Sequence, residues 1–276
     1  MPVARVLVNG VPDGALSPLD RGLSYGDGLF ESVRFDGARA PLWSRHMDRL
    51  SEGCDRLKMP APDPAQLWHE AQAVCRGLPR AVARLTLTRG LGARGYAPPA
   101  IPAPTRLVAG FALPLAAVDA QSAGIRVRVC SLRLGAQPRL AGIKHLNRLE
   151  QVLARAEWDD PSIAEGLLCD EAGHAICATM ANLFAVLDGV LCTPSLARCG
   201  VAGVARAEVL ALRPDARVGD ISLATLLAAD EVFLSSSVRG ILPVRSLDDR
   251  AYAVGPTARM LQQHWRDLGF LTEPAA

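Results

Sequence analysis

Lysine is nearly absent from this sequence. Among 30 basic residues only Lys58 and Lys144 are lysines, so arginine supplies almost all of the positive charge. Aromatic residues are scarce too, at 5%, and the arginines are scattered, which argues against a surface that stacks bases and tracks phosphates. A formal net charge of +2 gives no case for nucleic acid or an anionic membrane as partner. No apolar run reaches membrane-spanning length, and no basic start followed by an apolar stretch marks a secretory leader. The seven cysteines, at 54, 75, 130, 169, 177, 192 and 199, are odd in number and lack CxxC spacing. They suggest neither a zinc nor a disulfide framework, so no metal is expected. The thiols read as reduced, in a cytoplasmic protein.

With 276 residues the chain can form one large domain or two moderate ones. Asn9-Gly10, Asp36-Gly37 and Asp188-Gly189 each sit between short apolar runs, the signal of a tight β-hairpin. The spacing of Met47, Leu50 and Leu57 predicts a helix over "SRHMDRLSEGCDRLKM", and another is expected from Leu67 to Val74. "AVARLTLTRG" reads as a strand. Ile125, Val127 and Val129 alternate with Arg126, Arg128 and Cys130, which predicts a strand with one buried and one wet face. Leu146, Leu149, Leu153 and Ala156 fall near one stripe, so Lys144 is expected at the start of a helix. "EGLLCDEAGHAICAT" reads as a further hairpin, "GVAGVARAEVLALR" as a glycine-rich loop entering a helix, and "ADEVFLSSS" as a strand ending in hydroxyls. The fold class is α+β in two parts. The small-residue stretch near 113–124 is the expected junction. It leaves a small N-terminal domain over 1–115, a linker over 116–123 and a larger C-terminal domain over 124–276.

One motif misleads. "GLGARG", from Gly90 to Gly95, matches GxGxxG after a strand, but a dinucleotide site needs a helix to begin within it. "YAPPAIPAP" follows, and four prolines in nine residues forbid that helix. A flexible loop is the better reading, and its Arg94 and Tyr96 could reach over a site and grip a carboxylate.

Lys144 is the residue that composition singles out. If charge alone were needed there, this chain would use arginine. A partly buried amine can lose its proton and attack a carbonyl to form an imine, whereas a guanidinium stays protonated. The surrounding "LAGIKHLNRLEQVLARAEW" resembles the signature segment of the aminodeoxychorismate lyase branch of fold-type IV pyridoxal-phosphate (PLP) enzymes. Those enzymes are related to the branched-chain and D-amino-acid aminotransferases. "DRGLSYGDGLFESVR", "HMDRL", "TRGLGARGY", "MANLF" and "CGVAGVARAEVL" match family motifs in the family's order, so the resemblance covers nearly the whole chain. It implies a two-domain fold-type IV architecture, PLP as cofactor and a homodimer. It also implies that Lys144 carries the cofactor and shuttles the proton. By the same resemblance Arg49 binds the cofactor phosphate, helped by the amides of Gly203 and Val204 and by Ser236 and Ser237. Arg94 and Tyr96, then Tyr25 and Ser32, are the expected contacts of a small substrate bearing carboxylates.

One position departs from the family. A glutamate usually stands five residues before the asparagine of "NLF" and pairs with the pyridine nitrogen; counting back from Asn182 gives Cys177. The chain could then be a decayed relative acting as a binding module, or could work with a neutral pyridine, or Cys177 could give the nitrogen a weak S–H hydrogen bond. The last two suit an elimination driven by aromatisation better than a transamination. The expected activity is the PLP-dependent conversion of 4-amino-4-deoxychorismate to 4-aminobenzoate and pyruvate, a step toward folate. A D- or branched-chain amino-acid aminotransferase is the alternative.

Overall fold

Two stretches of alternating and β-branched residues build two separate sheets, and a computed structural model describes them over residues 3–113 and 118–270. In chain order the first elements are β1 (Val3–Val8), β2 (Val11–Pro12), α1 (Arg21–Tyr25), β3 (Gly28–Asp36), α2 (Trp43–Leu57), α3 (Pro64–Cys75), β4 (Arg80–Thr88) and β5 (Thr105–Ala112). Then come α4 (Val118–Ser122), β6 (Ile125–Leu134), α5 (Leu149–Arg155), β7 (Ile163–Asp170), β8 (Ala175–Ala178), β9 (Asn182–Leu187) and β10 (Val190–Pro194). The chain continues through α6 (Val204–Leu212), β11 (Arg217–Gly219), α7 (Leu223–Leu227), β12 (Glu231–Ser236), β13 (Gly240–Leu247), β14 (Arg250–Ala251) and α8 (Pro256–Asp267).

Contacts divide the chain into two compact units, Met1–Pro114 with Ile143–Asn147, and Leu115–Gly142 with Arg148–Ala276. The junction expected at 116–123 lies partly outside the described residues, and its remainder carries α4. The short passage Ile143–Asn147, which sequence assigned to the C-terminal part, packs in the first unit.

The first unit is an antiparallel sheet in the order β2-β1-β5-β4-β3. Its opening turn uses Asn9 and Gly10 at φ 50° and 83°, the left-handed pair a tight hairpin needs. Asp36-Gly37 does not make a second hairpin. Only an isolated Asp36–Arg39 bridge closes there, and the chain then enters α2 instead of continuing as a strand. One face of β3, bearing Leu29, Glu31, Val33 and Phe35, is covered by helices. Phe35 is fully buried against Trp43 of α2 and Trp68 of α3, an aromatic cluster whose burial contributes roughly 2–3 kcal/mol for Phe35 alone.

The second unit holds the other sheet, in the order β11-β10-β9-β12-β13-β6-β7-β8 with β14 on β13. β8 also pairs with β9 through Cys177 and Asn182, so six strands close on themselves. Two expectations fail in the second half of the chain. Cys130 is buried rather than wet, because the β6–β7 register shifts between Val129 and Arg133 and changes which side chains point inward. The lysine segment is not helical at Lys144 either. The helix begins only at Leu149, and its leucines face outward, with Leu149 75% and Leu153 61% exposed.

Candidate active site

Lys144 is positioned by β3 instead of by a helix. The Phe30 amide donates to the Lys144 carbonyl (3.0 Å), the Leu146 amide donates to the Gly28 carbonyl (3.0 Å), and Leu29 bridges His145. Two backbone bonds across an extended pairing fix where the lysine leaves the chain. Its side chain is half-buried, with Nζ 4.3 Å from the centre of the Phe30 ring. Phe30 and Ser32 share the face of β3 that turns away from α2, and they stand opposite Thr86 and Arg84 of β4. The Arg84 guanidinium lies over the same Phe30 ring, at 4.2 Å. Burial alone lowers its pKa, and among the described residues no acid is ion-paired with it. Lysine, arginine and Ser32 thus gather around one aromatic ring.

On the opposite face of β3, α2 presents His46 and Arg49, one helical turn apart and therefore on the same side. Both close on Glu31. The Arg49 Nε donates to Glu31 Oε1 (2.8 Å), its Nη2 donates to Oε2, and His46 Nδ1 meets Oε2 at 2.6 Å. Burial by itself would raise the Glu31 carboxyl, but Arg49, then His46, outweighs it and brings the group down to about 2. Burial lowers the His46 imidazole. Glu31 opposes that shift, while Arg49 and Lys144 reinforce it. Arg49 is therefore no surface charge of an amphipathic helix: its side chain is 11% exposed and held on two nitrogens.

Arg94 is exposed on the loop after β4, and sequence suggested a flexible loop there. The loop is anchored instead. Arg21, 4% exposed, donates to the carbonyls of Gly95 (3.0 Å), Tyr96 (3.0 Å) and Ala97 (3.2 Å), and its Nε donates to Asp27 (2.8 Å). Burial alone would raise the Asp27 carboxyl, yet hydrogen bonds from Arg89 and Arg21 keep it below its ordinary range. Tyr25 accepts a bond from the Gly95 amide (3.1 Å), and its ring lies tilted 5.4 Å from the exposed ring of Tyr96. Tyr25 thus supports the loop that carries Arg94 and Tyr96.

In the second unit the expected residues converge on Asn182. Its Nδ2 donates to the Val201 carbonyl (2.8 Å), and its Oδ1 lies so close to Gly203 that a Cβ there would collide with it. Gly203 is the N-cap of α6, and no side chain caps the first turn that begins at Val204. The helix therefore offers its leading N–H groups and positive dipole end to an anion. Asn182 stands opposite Ser235 in β12 and opposite Cys177 in β8. The buried Ser235 hydroxyl has no hydrogen-bond partner in the described structure. Ser236 accepts long contacts from the Val238 and Arg239 amides (3.4 Å each), serving the turn into β13, and Ser237 is half-buried beside it. Burial pushes the Cys177 thiol up to about 12, so it stays neutral. Nearby, Glu165 is fully buried and bonded to Thr179 and Arg239.

Sequence reasoning passed over Glu31, His46, Arg84 and Ser235. Glu31 had a legible signal, an acid in the buried phase of an apolar strand between Leu29 and Val33. Arg84 had none in a chain so rich in arginine.

Comparison with known proteins follows the same lines. Residues 28–247 match the model of the amino-transferase class IV family. An aminodeoxychorismate lyase from Vibrio harveyi is 35% identical over 92% of this chain and 97% of its own length. The crystal structure of 4-amino-4-deoxychorismate lyase from Pseudomonas aeruginosa superposes with a TM-score of 0.90 at 48% identity, covering 95% of this chain and 98% of that one. A branched-chain amino acid aminotransferase from Escherichia coli is more distant, with a TM-score of 0.84 at 26% identity over 97% and 95% of the two chains. The chain belongs to the class IV amino-transferase family and has its two-domain fold.

Proposed function

We propose that this protein is a PLP-dependent lyase that converts 4-amino-4-deoxychorismate to 4-aminobenzoate and pyruvate. The observation that carries the reading is Lys144. One of only two lysines in the chain, it is fixed by backbone bonds to β3 with its amine over Phe30. The residues present fit the cofactor. A half-buried amine suits its carbonyl, and Arg49 suits its phosphate. In the second unit, the first turn of α6, with no side-chain cap, suits an anionic group as well. Ser236 and Ser237 stand for further phosphate contacts. Bound PLP supplies an electron sink for the carbon that loses its proton.

Lys144 removes the proton from the amine-bearing ring carbon, and the enolpyruvyl group leaves as the ring becomes aromatic. Arg84 and Arg94 are suited to the two substrate carboxylates, since a guanidinium fork can hold each one bidentately. Tyr96 closes over the substrate from the anchored loop that Tyr25 supports, and Ser32 lines the Phe30 face. Cys177 would offer the ring nitrogen a neutral thiol, which suits elimination better than transamination, where charge must persist longer. The nearer relatives support the same choice, since the aminotransferase shares less identity than either lyase. No helix among the described residues is long and apolar enough to cross a membrane, and the free thiols support a cytoplasmic setting. A homodimer is supported by the bare apolar face of α5.

The test has two parts. Incubation with 4-amino-4-deoxychorismate should release fluorescent 4-aminobenzoate and equimolar pyruvate, and Lys144→Ala should abolish both. Borohydride reduction followed by peptide mapping should place the cofactor on Lys144. Label on Lys58, or no uptake of PLP at all, would refute the proposal.

A further inference from the structure

We infer that Glu31, braced by His46, is the positioning residue that aims the Arg49 guanidinium at the cofactor phosphate. The inference rests on the reading that Arg49 binds that phosphate, and extends it to two residues with no assigned part in the site.

Arginine carries a long flexible side chain, and an unheld guanidinium on a helix samples many rotamers. Here the Nε–Nη2 edge is locked fork to fork on Glu31, whose carboxylate is itself 1% exposed and cannot drift into water. The carboxylate is fixed from a second side by His46, also 1% exposed, at 2.6 Å. Burial keeps that imidazole neutral, so Nδ1 carries the proton and donates to Oε2. Backbone geometry fixes both ends of this chain of contacts. Glu31 sits in mid-strand, paired with Leu85 of β4, and His46 and Arg49 are on consecutive turns of α2.

The charge count favours positioning over stability as the purpose. A buried carboxylate–guanidinium pair is expensive to desolvate and often no more stabilising than apolar residues of the same volume. With His46 neutral, Glu31 cancels Arg49, and the Lys144 charge that acts on His46 leaves the cluster cationic. An anion is thus still attracted, while the acid contributes orientation. The opposing possibility has the opposite sign. If Glu31 acted mainly as a charge, it would weaken phosphate binding, and removing it would tighten PLP.

Dissociation constants for PLP and for pyridoxal, which lacks the phosphate, separate these outcomes. They would be measured by dialysis on the full-length protein freed of cofactor, as wild type, Arg49→Ala, Glu31→Gln and Glu31→Asp. Circular dichroism confirms that each variant is folded. Loss of one charge-assisted positioning contact should weaken PLP about tenfold in Glu31→Gln while leaving pyridoxal unchanged. Glu31→Asp keeps the buried charge but shortens the reach, so it should show the same phosphate-selective loss. The Glu31→Gln, Arg49→Ala double variant should bind PLP no worse than Arg49→Ala alone. Equal losses for PLP and pyridoxal would mean a merely structural acid, and tighter PLP binding would mean a charge brake; either overturns the inference. If Arg49→Ala itself leaves PLP unaffected, the phosphate reading fails and takes the inference with it. If Arg49→Ala weakens PLP selectively and neither Glu31 variant does, only the inference fails.

Discussion

His46 is where mild acid should first be felt. Its folded-state pKa lies below the ordinary 6.5, because burial disfavours the imidazolium and Arg49 and Lys144 add to that effect. A depressed pKa means that below pH 6.5 the unfolded chain takes up a proton that the folded chain refuses, so stability present above pH 6.5 is lost as pH falls. The loss should begin near pH 6.5 and grow as pH falls toward the depressed folded-state value. His46→Asn keeps a donor near Glu31 but cannot titrate. Its melting temperature should fall less over that interval than that of wild type, and parallel curves would show that His46 is not buried neutral. Glu31, brought down from 4.5 to about 2, adds a second acid limb that starts near pH 4.5 and ends near pH 2.

Cys177 is the other residue at which chemistry and sequence part. Its thiol stays neutral, so under the proposed function the pyridine nitrogen would have no carboxylate partner there. Cys177→Glu should raise side transamination more than it raises the lyase rate, because protonation at the nitrogen matters most where carbanion character must persist. Keto-acid release and 4-aminobenzoate fluorescence measure the two rates. A wild type that binds PLP yet shows neither activity, beside a Cys177→Glu variant that gains the lyase, would mark the natural protein as a decayed enzyme.

At the scale of elements, local chemistry was legible and non-local pairing was not. Asn9-Gly10 and Asp188-Gly189 announce their hairpins because both turns need left-handed backbone, and both adopt it. Asp36-Gly37 carries the same signal, but after one bridge the chain turns into α2 instead of forming a second strand. The leucines from 146 to 153 follow a helical stripe, yet Lys144 belongs to an extended segment docked on a strand more than a hundred residues earlier. No local pattern could report that contact. The same holds at the site. The scarcity of lysine marks Lys144 as a candidate, and only a motif marks Arg49. The acid that holds Arg49 comes from a different element, and Arg84 matters only because the β3–β4 register sets it beside Ser32 and Phe30.

At the scale of the whole molecule, the chain passes between its two units three times, and the Lys144 segment is the short return. The two crossings that bracket Ile143–Asn147 have no compositional signal, because five residues are too few to carry one. One further feature of the second unit concerns assembly. Leu149, Val152 and Leu153 lie at i, i+3 and i+4 on α5 and are 75%, 60% and 61% exposed. Single exposed leucines are ordinary, but three in one helical stripe leave an apolar face that a monomer gains nothing by presenting to water. A twofold contact would set this patch against its own copy and bury it on both sides at once. Leu153→Glu would put like charges together across such a contact without disturbing the core, since only Ala154 of α5 is buried. Sedimentation at micromolar concentration should give a dimer for wild type and a monomer for Leu153→Glu, with circular dichroism unchanged. A wild type that sediments as a monomer, or a variant that stays dimeric, would remove α5 from the subunit contact.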